Sequence, residues 1–141
     1  MKSKTPVPVA KDKPADSEKI TINLGFIDLG QIDLLVSEGY YGNRSDFIRT
    51  AIRNQLGQHA DAVKQGVARK TLVLGLQHYT ADDLRAVVAA RQRLHIRVLG
   101  LASIAPDVTP DLALAAIASL DVLGAVHASP AVKAALATLP R

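Results

Sequence analysis

The tripeptide Val-Leu-Gly occurs three times in this 141-residue chain, beginning at Val73, Val98 and Val122, at intervals of 25 and 24 residues. Each copy is followed by a helix start of one kind. Thr80 precedes "ADDL", Thr109 precedes "PDLAL", and Ser129 precedes "PAVKAAL". Thr and Ser cap helices through their hydroxyl oxygens, and proline is tolerated at the first helical position because its missing N–H has no intrahelical partner there. Residues 71–141 therefore read as three strand–helix repeats. Successive strands joined through a helix must run parallel, because a crossover separates them. The loop before the second cap, "ASIAPDV", is longer than its counterparts. "LVLGL" and "VLGLASI" are apolar on both faces, the pattern of strands covered on both sides. Helices from one chain cover only one side, so a second copy is expected to cover the other.

The segment before the repeats follows a different rule. "KITINLG", Lys19–Gly25, alternates polar and apolar residues, as a strand with one buried face does. No second strand lies near it, and a lone strand is not a stable unit. Two helical patterns follow. In "FIDLGQIDLLVSEG", Leu29, Ile32, Leu35 and Val36 share a face. Asp28 is the expected cap and Gly39 the left-handed stop. In "YYGNRSDFIRTAIRNQL", Asn43 is the expected cap, with Asp46 completing a variant capping box. The stripe Phe47, Ile48, Ala51, Ile52 and Leu56 extends through Val63 and Val67, so this helix is expected to reach about residue 68 despite Gly57 and Gly66.

One strand and two helices pair most simply with a second copy of themselves. Two antiparallel strands from two chains make a ribbon. Ile20, Ile22 and Leu24 then face the helices, and Ile32, Leu35, Phe47, Ile48 and Ile52 complete a shared dimer core. Lys19, Thr21 and Asn23 point to solvent. A two-stranded ribbon fits the major groove of B-form DNA, where Lys donates to guanine, Asn pairs with adenine and Thr meets thymine. These three are the candidate base readers.

The ordered set of "ITINL", "IDLLVSEG", "YYGNRSDF" and "FIRTAIR" resembles the ribbon-helix-helix repressors of bacteria and archaea. The resemblance covers about 40 residues. It implies that outward strand residues read bases and that the start of the second helix holds a phosphate. Carried over, the phosphate contacts are Asn43, Arg44 and Ser45. A helix N-terminus suits an anion on physical grounds as well, through free N–H groups and the helix dipole.

The expected organisation is α+β. Residues 1–16 form a basic tail, 17–59 a ribbon-helix-helix DNA-binding domain, 60–70 a helical extension, and 71–141 a small α/β domain of parallel strand–helix repeats. Residues 1–16 carry four lysines against Asp12 and Asp16, and the formal charge of the chain is +4. The tail reads as a solvated leader or as an arm touching phosphates. Residues 17–60 carry Lys19, Arg44, Arg49 and Arg53 against five acids. A nucleic-acid role there rests on placement, not on net charge.

No cysteine is present, which excludes disulfides and thiolate metal sites. His59, His78, His95 and His127 are scattered. His78 and His127 each follow their repeat valine by five residues and are expected to stack in adjacent repeats, without enough ligands for a metal. No catalytic constellation or cofactor motif is evident, so neither an enzyme nor a cofactor is predicted. The leader lacks the apolar core of a signal peptide and no run spans a membrane, so a cytoplasmic location is expected. The expected partners are double-stranded DNA and further copies of the chain, as a homodimer or a dimer of dimers. A protein or ligand partner at 71–141 is an added option. The leading reading is a sequence-specific transcriptional repressor; the alternatives are an antitoxin and an architectural or plasmid-partition protein that coats DNA.

Overall fold

The computed structural model describes residues 17–141, so the basic tail lies outside the described residues. These residues form six helices and a three-stranded parallel sheet. The chain divides into two compact units, Lys19–Gly66 and a second containing Val67–Arg141.

The first unit is helical. Residues 17–25 carry no regular secondary structure, so the expected strand is not formed in the single chain. Helix α1 spans Phe26–Ser37. Its N-cap is Gly25, not Asp28, and no side chain caps it. The chain enters the helix three residues earlier than expected, which places Asp28 in the first turn, where a carboxylate complements the helix dipole. The C-terminus ends as a Schellman turn. Tyr40 N donates to Leu35 O at 3.0 Å and Gly39 N to Val36 O at 3.1 Å. Gly39 takes a φ of +88°, as expected for the stop.

Helix α2 spans Arg44–Gln58 and helix α3 spans Ala60–Lys70. The expected continuous helix is therefore interrupted at His59, whose N–H bonds back to Leu56 O at 3.0 Å in a tightened last turn. Gly57, two residues earlier, weakens helix propensity at that place. Gly66 lies inside α3 without breaking it.

The second unit contains the repeats. Strands β1 (Val73–Tyr79), β2 (Leu94–Ile104) and β3 (Ile117–His127) lie parallel in the order β1-β2-β3. Helices α4 (Ala81–Ala89), α5 (Pro110–Ala116) and α6 (Pro130–Leu136) follow them in turn. Helix α5 packs against both α4 and α6, so the three form one layer. Thr80, Thr109 and Ser129 cap these helices, accepting from the N–H groups of Asp83, Leu112 and Val132. The core between the layers includes Leu84, Ile96, Val98, Ile117 and Val132, all exposed by 2 % or less.

The three Val-Leu-Gly copies stand in register. Val73, Val98 and Val122 share one row, and Gly75, Gly100 and Gly124 share another. All three glycines have positive φ, at 112°, 139° and 126°. A Cβ on Gly100 would lie 2.3 Å from Gly75 O, and one on Gly124 would lie 2.0 Å from Gly100 O. Gly100 and Gly124 thus have no room for a side chain, because the neighbouring glycine's carbonyl fills it, while Gly75 is restricted by its positive φ alone. His78 and His127 do not stack. Both lie in one row, on either side of Ser103. His78 Nδ1 and Ser103 Oγ are hydrogen-bonded at 2.9 Å.

These sterics separate two substitutions. Gly124→Ala forces β2 and β3 apart and is expected to cost about 4 kcal/mol or to unfold the unit. Gly75→Ala meets no atom within 4 Å, so only its positive φ is strained, at about 1–3 kcal/mol. Denaturant unfolding of the full chain measures both, and equal losses contradict the clash.

Candidate nucleic-acid interface

Apolar side chains in Lys19–Gly66 are largely left in solvent. Ile32 is the one buried residue among those described in this unit. Leu29, Leu35, Val36, Phe47 and Ile48 are half-buried where α1 meets α2. Tyr41 and Phe47 pack edge to face with centroids 5.0 Å apart. Ile52 is 48 % exposed, and Ile20, Ile22 and Leu24 are 75, 62 and 38 % exposed. Of the residues expected in the dimer core, the single chain therefore gathers Ile32, Leu35, Phe47 and Ile48. It leaves Ile20, Ile22, Leu24 and Ile52 open.

Lys19, Thr21 and Asn23 are exposed on the segment that alternates with these open side chains. Asn43, Arg44 and Ser45 are brought together at the start of α2. Asn43 Oδ1 accepts from Asp46 N at 2.8 Å. The Asp46 carboxylate accepts from Gly42 N at 2.9 Å, one residue further back than a capping box requires. The first N–H groups of a helix have no intrahelical acceptor. The cap takes the N–H of Asp46, and those of Arg44 and Ser45 lie in the same first turn.

The Arg44 side chain is engaged elsewhere. Its Nε and Nη2 donate to the two carboxylate oxygens of Asp33 at 2.7 and 2.8 Å. This fork ties α1 to the first residue of α2 and holds the α2 N-terminus in place. The pair was not legible in the sequence: eleven residues separate its members, and no helical spacing links them. Sequence reading also missed Phe26, Ile27 and Leu34, exposed by 92, 77 and 60 %. For Phe26 and Ile27, the available signal was their place directly after the alternating segment.

Hydrogen bonding from Arg44 holds the Asp33 carboxyl below the ordinary aspartate range, and Asp33 in turn raises Arg44. A carboxylate whose folded pKa is depressed adds stability above its unfolded pKa and loses it as pH falls through the folded one. Asp33 is expected to titrate below an ordinary aspartate by NMR and to return towards that value in Arg44→Gln. An unchanged midpoint contradicts the tie.

Among the described residues, no group of three His, Asp or Glu is placed to hold a metal ion. Among the described residues, no helix is long and apolar enough to cross a membrane. Comparison with known proteins gives one family match, to the Ribbon-Helix-Helix transcriptional regulator family, over residues 15–133. No curated protein and no solved structure matches the chain. The family match runs through both the helical unit and the strand–helix unit. With two helices placed after an alternating segment that has no partner strand, the chain belongs to the ribbon-helix-helix transcriptional regulator family.

Proposed function

We propose that this regulator is a sequence-specific repressor that reads the major groove of DNA with a ribbon built from two chains. Residues 19–25 of two protomers pair antiparallel. Ile20, Ile22 and Leu24 close over α1 and α2, and Lys19, Thr21 and Asn23 meet base edges. The backbone N–H groups of Asn43, Arg44 and Ser45, with the Ser45 hydroxyl, hold a phosphate at the α2 N-terminus. The Arg44 guanidinium positions that terminus through Asp33 and does not itself bind DNA. In this reading the DNA-binding part lies at 17–59, a helical link at 60–70 and self-association at 71–141.

One observation carries this reading. A unit with a single buried residue exposes Ile20, Ile22, Leu24, Phe26 and Ile27 in succession along the chain's entry into α1. Burying apolar surface yields about 25 cal/mol per Å². The first unit has little of that stabilisation until a second chain supplies the missing surface. Obligate dimers of this kind often have no stable folded monomer. The alternation then leaves only Lys19, Thr21 and Asn23 for the outer face of the ribbon.

Sedimentation at micromolar concentration is expected to show no folded monomer; finding one sinks the ribbon. Thr21→Ala and Asn23→Ala should each lose about 1–3 kcal/mol of operator affinity and relax base preference, with the fold unchanged. Unaltered selectivity in both rejects their role. Ser45→Ala should weaken binding to all DNA sequences alike, because a phosphate contact positions without specifying. A loss confined to the operator would move Ser45 to base reading.

A further inference from the structure

The sheet face opposite α4, α5 and α6 carries two apolar rows in register. Leu74, Leu99 and Leu123 form one, and Leu76, Leu101 and Ala125 form the next. Leu74 and Leu76 are more than half exposed, and a hollow of about 450 Å³ opens over the second row and the adjoining glycines. A polar row bounds the band at each end. Arg97 and Asp121 are neighbours at the amino-terminal side, and His78, Ser103 and His127 lie at the carboxy-terminal side.

We propose that this face is covered by the same face of a second copy, related by a two-fold axis crossing the strands between the two apolar rows. The proposal rests on the self-association reading above and gives it a surface. The pattern is self-complementary about that axis. The two apolar rows exchange places, and each polar row falls on the opposite one. Strand order is kept, so β3 lies over β3 and Asp121 faces the partner's His127, twice over. A two-fold along the strands would instead set Arg97 of the central strand on its own copy, a like-charge contact. Charge therefore selects the first arrangement.

Size explains why the face is open in one chain. Strands lie about 4.8 Å apart and rise about 3.3 Å per residue, so three strands of seven paired residues present on the order of 300 Å². Stable interfaces bury about 800 Å² per partner. The face is too small to hold two free molecules together. A ribbon dimer presents two such faces, and once one has met its copy on a second dimer the other engages at an effective concentration in the millimolar range, where a small matched face suffices.

The chain has no cysteine, so single introduced thiols report one contact. Full-length Asp121→Cys and His127→Cys chains are mixed, refolded together and treated with a bismaleimide spanning about 10 Å, the separation of packed sheets. Cross-linked pairs at several times the yield of either variant alone are expected. Leu123→Glu, at a site 42 % exposed in the single chain, should abolish them while circular dichroism stays unchanged. No excess in the mixture, or an excess undiminished by Leu123→Glu, overturns the proposal. If the excess is missing while the chain still sediments above a dimer, self-association stands and only this surface is wrong. If the chain also stops at a dimer, both readings fail. Ser17 and Glu18 border the hollow, so a cross-link appearing only after removal of residues 1–16 gives the face to the N-terminal segment and also overturns the proposal.

Discussion

A helical unit with one buried side chain is the constraint on which the proposed function depends. Ile32 alone is buried between α1 and α2, while apolar side chains from Ile20 to Ile27 face solvent. Folding must offset a backbone entropy cost of about 1–2 kcal/mol per residue, and two short helices in contact do not bury enough surface to do so. Under the proposed reading, dimerisation would be part of folding rather than an addition to it. The same pairing that supplies the core would create the only outward face the segment has. Stability and recognition would thus come from the two sides of one strand.

The strand–helix unit solves its folding problem differently. Its sheet and helices share a dry core around Leu84, Ile96, Val98 and Ile117. Its register is constrained at Gly100 and Gly124, where the carbonyls of Gly75 and Gly100 fill the places where side chains would stand. Strand slippage by one residue would put a leucine or a side-chain-bearing neighbour into that space. The glycine row therefore pins the leucine rows on the open face, and with them the positions of Asp121 and His127. One steric requirement in the backbone thus orders a pattern on the opposite surface.

The parts legible in the sequence were those governed by local rules. Thr80, Thr109, Ser129 and Asn43 cap helices as their types suggest, and Gly39 ends α1 in the left-handed conformation. The Val-Leu-Gly recurrence gave strand direction, and its longer second loop appears between Ile104 and Thr109. Rules that depend on context were less readable. Asp28 is a good cap by type, but the chain had already entered the helix at Gly25. The apolar stripe through Val63 concealed the break at His59, because periodicity continues across a tightened turn. Asp33 and Arg44 meet only through tertiary packing, so no spacing announced them. The stacking expected of His78 and His127 failed because equal offsets in repeats one and three leave repeat two between them. For the candidate base readers, alternation alone names the residues expected to face outward. Their exposure in the single chain is shared with the inward set and does not separate the two.

The central claim is that residues 19–25 form a strand only with a second chain. An isotope-filtered NOE experiment on a dimer of labelled and unlabelled protomers tests it directly. The account predicts intermolecular backbone contacts among residues 20–24 in an antiparallel pattern, with Ile20, Ile22 and Leu24 protected and Lys19, Thr21 and Asn23 open. Absence of intermolecular contacts in that segment, with the two chains joined elsewhere or not at all, would contradict it.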